Sequence, residues 1–285
     1  MTALHSSSKV AQKDHGLWQT SHVRRLVPDL IESLRNPEFW ALSAWLDIMV
    51  MCRRSRLGIV WLFMPSVVYV WCVGPLFASL FGASITRFVV HLALGWTIYN
   101  LMSMTIAQST RVLFTSRSFI MDGRMRMTDY VLGCVAKSTF HFLMAIPVIV
   151  IALALYSGGL HPLGVLLGLG GFVLVLVNSF LVGIVFSLIG ARFPDIHELV
   201  GNLLRVLVFL TPILWYPEQM PSGSVRGSLA RLNPFFHLLE IVRAPILGEP
   251  IHLLSWYYVG ALTVVTAVVA VFLYRRYARL VPIWL

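Results

Sequence analysis

Long runs of apolar residues without charged side chains constrain this sequence more than any other feature. The clearest run is IVWLFMPSVVYVWCVGPLFASLF at residues 59–81, which contains no Asp, Glu, Lys or Arg. Each helical residue adds about 1.5 Å, so roughly 20 residues cross a bilayer core about 30 Å thick. Polarity does not alternate along the run as it does in strands of a membrane barrel, so a spanning helix is predicted.

Six apolar runs, four of them without any charged side chain, predict six spanning helices. They occupy residues 59–81, 88–110, 130–156, 163–190, 199–217 and 255–274. The fifth run is the weakest, because Arg205 lies near its start and Pro212 would end its helix. Only 12% of the residues are charged, well below the roughly 25% of soluble domains. We therefore expect an all-α integral membrane protein, with a partly disordered tail at residues 1–36 and a transmembrane domain at residues 37–285.

Arginines beside the runs predict the orientation, because basic residues are enriched on the cytoplasmic flanks of spanning helices. If both termini are inside, the inner flanks hold eleven arginines: Arg53, Arg54, Arg56, Arg111, Arg117, Arg124, Arg126, Arg192, Arg275, Arg276 and Arg279. The outer flanks hold four: Arg87, Arg226, Arg231 and Arg243. Both termini are therefore predicted to be cytoplasmic. Residues 1–35 contain no apolar signal region, so the first apolar helix is expected to direct insertion.

Two segments are amphipathic and are not expected to span. Residues 37–52 carry an apolar helical stripe of Phe39, Trp40, Ala44, Ile48 and Met51. This pattern predicts a helix in the cytoplasmic interface; a buried helix of a soluble domain is the alternative, but the preceding residues are few for such a domain. The sequence NPFFHLLEIVRAPILG (233–248) lies in the outer loop between the fifth and sixth runs, after Pro217 and Pro221. One or two re-entrant or surface helices are predicted there.

The sequence lacks the common motifs of catalysis and metal binding. It has no Gly-x-x-x-x-Gly-Lys-Ser/Thr loop, so the chain is not expected to hydrolyse ATP itself, and it has no His-Glu-x-x-His or Gly-x-Ser-x-Gly. Three scattered cysteines have no metal-ligand spacing. The six runs contain no acidic residue, which argues against a proton relay. The net charge of +10 lies in short blocks beside apolar runs, so nucleic-acid binding is not expected.

A few polar and aromatic residues in the runs are candidates for function. Lys137 and His141 share a face of the third run, although Lys137 could instead extend to the interface and His141 could simply be packed. Aromatic residues near the span ends predict either an interfacial belt or a surface on which sugar rings stack. The pathway candidates are Trp61, Tyr69, Trp96, Tyr99, Trp215, Tyr216, Phe235 and Phe236.

Two segments, GARFPDIHELVGNLLRVLVFLTPILWYPEQMP (190–221) and RLNPFFHLLEIVRAPILG (231–248), resemble the membrane subunits of type-two ABC exporters for polysaccharides. That family includes O-antigen, capsule and teichoic-acid permeases. The matching residues are Arg192 with Asp195, Thr211-Pro212, Pro217, Pro221, Asn233-Pro234 and Arg243; the arginine-rich stretch RRSRLGIVWLFMPS (53–66) also matches, through Leu57, Gly58, Trp61 and Pro65. The likeness covers roughly residues 37–280. It departs where Phe193-Pro194 separates Arg192 from Asp195, and in the loop at residues 116–130.

The resemblance implies a half-transporter made of two copies of this chain and two copies of a separate ATPase that binds ATP and Mg. It implies ATPase docking on residues 37–52, 111–129 and 191–198. The candidate coupling residues are Asp47, Arg117, Asp122, Arg192, Asp195 and Glu198. Arg192 and Asp195 are expected to share a charge-assisted hydrogen bond.

The implied function is export of a lipid-linked polysaccharide or glycolipid across the bacterial inner membrane, with no cofactor bound by this chain and no enzymatic activity of its own. Arg53, Arg54 and Arg56 would contact the substrate pyrophosphate, or would serve only to anchor the topology. A permease for a drug or small lipid is one alternative. A polyprenyl-glycan transferase or flippase is another, although the sequence has no Asp-x-Asp-like cluster.

Overall fold

The structure is a computed structural model that describes residues 25–54, 56, 58–121, 125–155, 162–216 and 225–285. Within these ranges every regular element is a helix. In chain order they are α1 (Leu26–Arg35), α2 (Glu38–Arg54), α3 (Val60–Leu80), α4 (Ile85–Thr115), α5 (Arg117–Met121), α6 (Met127–Ala154), α7 (Pro162–Arg192), α8 (Ile196–Leu210), α9 (Val225–Leu232), α10 (Pro234–Leu247), α11 (Leu253–Tyr277) and α12 (Val281–Trp284). Most of the predicted tail, together with Leu57, Asp122, Arg124, Pro217 and Pro221, lies outside the described residues.

Five of the described helices are long and apolar enough to cross a membrane: α3, α4, α6, α7 and α11. Their bounds lie close to five of the six predicted runs. The remaining run forms α8, whose 15 residues rise by only about 22 Å. The helix ends because Thr211 precedes Pro212, and the proline ring disfavours helical backbone at the residue before it. Thr211 has φ −92° and ψ 136°, which is extended.

The first long helix contains a local change in winding. Residues Tyr69–Val73 of α3 form a π-helical turn directly before Gly74 and Pro75. Proline has no N–H to donate to the carbonyl four residues earlier, and the wider turn makes room for its ring. This turn sets the direction in which Tyr69 points.

The N-terminal helix α1 lies in residues that the sequence analysis assigned to the tail. It packs against α6 and α11. Ser33 Oγ lies 2.7 Å from Thr128 Oγ1, and the Tyr274 hydroxyl donates to Asp29 Oδ2 over 2.7 Å. Leu26 is buried in the same cluster as Tyr274. Residues 26–35 of the partly disordered tail are therefore an ordered helix docked on the bundle.

The predicted amphipathic segment at residues 37–52 forms α2. Ala44 and Ile48 of the predicted stripe are buried, and α2 packs against α6. Met51, from the same stripe, is exposed. Trp45 and Leu46, also on α2, are exposed as well. The helix therefore has one packed apolar face and further apolar side chains that the described residues leave uncovered.

Local sequence sets both ends of α10, close to the predicted bounds of 233–248. The Asn233 side chain accepts a hydrogen bond from the Phe235 N–H over 3.0 Å, and Pro234 takes the first helical position. Gly248 ends the helix with φ 66°, a left-handed conformation that favours glycine. α10 then lies so close to α7 that a Cβ on Gly171 would sit 2.5 Å from the Ile241 carbonyl oxygen.

Candidate functional site

Two of the predicted pathway aromatics stack between the first two long helices. The rings of Tyr69 on α3 and Trp96 on α4 have centroids 3.5 Å apart and planes inclined by 11°. Both side chains are half-buried. The two rings therefore stack face to face where α3 meets α4.

A second contact between aromatic rings joins three helices. The ring of Tyr99, one turn after Trp96 on α4, lies 5.3 Å from the ring of Phe235 on α10. The Tyr99 hydroxyl donates to the Leu204 carbonyl of α8. Tyr99 is buried, while Phe235 is half-buried. The middle of α4 is therefore fixed to both α8 and α10.

The other four pathway candidates lie outside these two ring contacts. Tyr216 packs against His91, with ring centroids 4.6 Å apart, and the Trp215 indole donates to the Phe209 carbonyl over 3.1 Å. Phe236 is buried inside the bundle. Trp61 is exposed, and its ring packs against no other aromatic ring of the described residues. The structure thus forms two aromatic pairs, Tyr69 with Trp96 and Tyr99 with Phe235, one helical turn apart along α4, and places Trp61 elsewhere.

A buried arginine fixes the turn that follows α8. Arg243 is 1% exposed, and its Nη2 donates to Glu240 Oε2 over 2.8 Å. Its Nη1 donates to the Pro212 carbonyl over 2.7 Å and lies 3.1 Å from His91 Nε2. At the other end of α10, Asn233 Nδ2 donates to Thr211 Oγ1 over 2.8 Å. A buried charge requires such partners, so α10 and the Thr211-Pro212 turn are held as one unit.

The sequence analysis counted Arg243 only as an outer-flank charge and as part of the resemblance. Glu240 precedes it by three residues, a spacing at which helical side chains meet. The ion pair could have been predicted from this spacing. The contacts to Pro212 and His91 join residues 31 and 152 positions apart, and no pattern along the chain predicts them.

The opposite end of the bundle carries most of the exposed arginines, among them Arg53, Arg111, Arg192 and Arg275; we call it the arginine-rich end. A cavity of about 770 Å³ opens there between the end of α4 and the start of α8. Its lining includes the predicted coupling residues Asp195 and Glu198, together with Arg111, His197 and Arg205. No group of three His, Cys, Asp or Glu side chains within the described ranges is placed to hold a metal ion.

His197 connects α8 to α4 beside this cavity. Its Nε2 lies 3.2 Å from Arg111 Nη1, and its Nδ1 lies 2.9 Å from Thr110 Oγ1. Arginine can only donate, so Nε2 accepts and Nδ1–H donates to the threonine hydroxyl. His197 was not a predicted site residue, although it lies within the predicted docking turn.

The expected hydrogen bond between Arg192 and Asp195 is not formed. Within the described ranges Arg192 has no salt bridge; its guanidinium instead lies 5.5 Å from the centroid of the Trp284 ring. Asp195 immediately precedes α8 and lines the cavity. Phe193 and Pro194 between the two residues carry Arg192 towards α12, where cation–π attraction replaces the expected ion pair.

Asp47 pairs with Lys137, a contact that the sequence did not reveal. Lys137 Nζ lies 2.9 Å from Asp47 Oδ2, and the two side chains are 25% and 57% exposed. The pair ties α2 to α6. The charge of Lys137 is thus met by an acidic partner on α2.

The remaining predicted arginines are exposed. Arg53, Arg54 and Arg56 lie at or just after the end of α2, and Arg117 begins α5. None of the four forms a salt bridge with another described residue. Their charges therefore remain available to groups outside the described chain.

Comparisons with known proteins match most of this architecture. Residues 38–247, from the start of α2 to the end of α10, match the ABC-2 type transporter family. The O-antigen export system permease protein RfbA of Myxococcus xanthus is 22% identical over 198 residues, which is 67% of this chain and 74% of that protein. The protein of the same name in Klebsiella pneumoniae is 24% identical over 180 residues, or 62% and 68%. The polysialic acid transport protein KpsM of Escherichia coli is 28% identical over 103 residues, only 36% of this chain and 39% of KpsM.

Proposed function

The chain belongs to the ABC-2 type transporter family, and from this premise we propose that it is the permease subunit of an ATP-driven polysaccharide exporter. It would move a lipid-linked polysaccharide or glycolipid across the bacterial inner membrane. The observation that carries the substrate class is its similarity to relatives named for O-antigen export and polysialic acid transport. A separate ATPase would bind ATP and Mg, because the sequence has no P-loop.

The aromatic contacts support a glycan pathway along α3, α4 and α10. Apolar faces of sugar rings pack on aromatic rings, and Tyr69, Trp96 and Phe235 present half-buried rings inside the bundle. An interfacial belt would instead place its rings at the bundle surface, which fits Trp61 and Tyr257. We therefore assign the pathway to the inner group and the belt to the exposed rings.

We propose that α8 and the residues after it form the sixth crossing. Residues Thr211 to Leu214 continue from α8 as irregular backbone and are buried. Irregular backbone at membrane depth is tolerated where protein surrounds it. With α9 and α10 re-entrant from the outer side, both termini fall at the arginine-rich end, which the arginine count assigns to the cytoplasm. The exposed apolar side chains of α2 would then lie in the cytoplasmic interface.

The proposed ATPase surface consists of α2, α5 and the start of α8. The Asp47–Lys137 pair connects α2 to α6, and His197 connects the start of α8 to α4. Movement of either docked element would therefore pull directly on a spanning helix, as rigid-body gating requires. A second copy of this chain would complete the transporter.

Mild-detergent purification of the tagged chain from its native membrane, with mass identification of bound molecules, tests the proposal. We expect a near-stoichiometric P-loop ATPase and a lipid-linked glycan. Asp195→Arg should weaken the coupling between ATP hydrolysis and export, because the reversed charge lies at the proposed docking turn. A chain that purifies alone and turns over a lipid-linked sugar without ATP would overturn the proposal. A bound small lipid or drug in place of a glycan would overturn the substrate class alone.

A further inference from the structure

The exposed face of α11 carries an apolar stripe that leads to a cluster of arginines. Val264, Val268 and Phe272 are 64%, 63% and 61% exposed. Arg275, three residues after Phe272, continues the same stripe of α11, and Arg279 follows in the turn after the helix. Along the helix axis, this face is therefore apolar as far as Phe272 and strongly basic from Arg275 onwards.

The length of the exposed apolar face matches the core of a bilayer. The face extends towards the start of α11 through Tyr257 to Leu253, which are 74% and 67% exposed. From Leu253 to Arg275 the helix rises by about 33 Å, and a bilayer core is about 30 Å thick, so the arginines lie at its edge. Where the two parts meet there is a groove of about 670 Å³. Val268, Val271 and Phe272 line its apolar side, and Arg275, Arg276 and Arg279 line the other.

The arginine charges have no acidic partners in the described parts of the chain. None of Arg275, Arg276 and Arg279 appears in a salt bridge there. α1 packs against α11, but its Asp29 accepts from Tyr274 and its Glu32 pairs with Arg126. The groove thus combines uncompensated positive charge with an apolar floor, and its ligand should carry an anionic group on a hydrocarbon chain.

We propose that this groove binds an anionic phospholipid of the leaflet at the arginine-rich end. The phosphate would lie between Arg275 and Arg279, and one acyl chain would follow Phe272 and Val268. A second copy of this chain is a poorer occupant, since a two-fold contact through this face would set like charges opposite each other. A soluble protein could reach the arginines but not the apolar stripe within the bilayer. The proposal requires only that α11 spans the membrane and is independent of the transported substrate.

Native mass spectrometry of the purified full-length chain tests the site. Phosphatidylglycerol and phosphatidylcholine with identical acyl chains are added in equal amounts, and the bound lipids are counted. We expect the wild-type chain to retain phosphatidylglycerol in preference. One arginine near an anionic headgroup contributes about fivefold in affinity, so the Arg275→Gln/Arg279→Gln variant should lose preferential retention on the order of tenfold or more.

Two matched variants separate a defined site from general charge effects. Arg53→Gln/Arg54→Gln removes the same charge from exposed positions at the end of α2 and should lower retention much less than Arg275→Gln/Arg279→Gln does. Arg275→Lys/Arg279→Lys keeps the positive charge and should restore most of the retention lost with glutamine. Equal retention of both lipids by the wild-type chain would overturn the proposal. So would an equal loss in the Arg53→Gln/Arg54→Gln variant, failure of the lysine variant to restore retention, or displacement of the lipid by millimolar inorganic phosphate.

Discussion

Replacing Gly171 with alanine should destabilise the bundle, whereas the same replacement at Gly170 should not. Both glycines lie in α7. A Cβ at Gly171 would sit 2.5 Å from the carbonyl oxygen of Ile241 and 2.9 Å from its carbonyl carbon. A Cβ at Gly170 would meet no heavy atom within 4 Å. The neighbouring variant therefore serves as a control with the same chemical change on the same helix.

The expected magnitude follows from the geometry of the contact. Ordinary van der Waals contact begins near 3.4 Å, so α10 would have to withdraw from Gly171 by about 1 Å. The contacting atom belongs to backbone, so no rotamer change relieves it. Overpacking of this kind costs about 1–3 kcal/mol, and the preference of alanine over glycine in helices returns up to about 1 kcal/mol in both variants. The difference between the variants therefore isolates the overpacking, about 1–3 kcal/mol.

Thermal unfolding of both variants in one detergent measures this difference. Gly171→Ala should melt several °C below Gly170→Ala, since about 1 kcal/mol shifts Tm by about 2–4 °C in chains of 150–250 residues. Adding Ile241→Ala should not restore stability, because the clash is with the carbonyl and not with the side chain. Equal melting temperatures for the two single variants, or full rescue by Ile241→Ala, would refute the reasoning.

Three further predictions test the polar and aromatic contacts. A double-mutant cycle with Asp47→Ala and Lys137→Ala should give a coupling energy below about 1 kcal/mol in unfolding measurements, because solvent screens a partly exposed pair. Arg243→Met should lower the free energy of unfolding by about 3–5 kcal/mol, since it leaves Glu240 buried and unpaired, and Arg243→Met with Glu240→Leu should cost less. Trp96→Ala should reduce export of long glycans, measured at the cell surface, without lowering the membrane abundance of the chain, and Trp96→Phe should retain export.

Each of these outcomes has a contrary result. A coupling energy well above 1 kcal/mol would mean that the Asp47–Lys137 pair is shielded from solvent in the membrane-bound protein. If the variant with both Arg243→Met and Glu240→Leu is as unstable as Arg243→Met alone, then lost packing and not the unpaired Glu240 carboxylate causes the loss of stability. Normal glycan export by Trp96→Ala would leave the ring at this position as part of the bundle packing alone.

The spanning helices could be predicted from sequence because lipid imposes a simple rule. A helix must be about 20 apolar residues long, and that property is local. α3, α6 and α11 therefore begin and end within a few residues of the predicted runs. Both ends of α10 could also be predicted, since Asn233-Pro234 favours the start of a helix and Gly248 favours its end.

Docked short helices could not be predicted in this way. α1 is ten residues long, too short to be stable without tertiary contacts. Its position depends on Asp29 and Ser33 meeting Tyr274 and Thr128, which are 245 and 95 residues away. Nothing in the local sequence separates such a helix from a polar tail.

In the candidate site, too, the types of residue could be predicted from the sequence, whereas their pairing could not. Tyr69, Trp96, Tyr99 and Phe235 could be chosen because aromatic side chains in apolar segments are easily recognised in a sequence. Their grouping depends on the π-helical turn of α3 and on the close approach of α10, which are three-dimensional facts. The expected Arg192–Asp195 pairing came from the resemblance to the Arg-x-x-Asp turn of the family. The structure instead directs Arg192 to the ring of Trp284 on another helix.

The contacts of individual arginines bear on the count from which the orientation was predicted. The count treats every arginine alike, yet Arg243 is a buried structural residue and Arg87 pairs with Glu249 over 3.3 Å. Both belong to the smaller, outer group. The larger group includes exposed residues without acidic partners in the described chain, such as Arg53 and Arg275. If Arg243 and Arg87 are left out of the count, the difference between the inner and outer groups becomes larger, and the predicted topology depends on that difference. The remaining uncompensated charge lies where a phosphate-bearing ligand or an anionic leaflet would meet the protein.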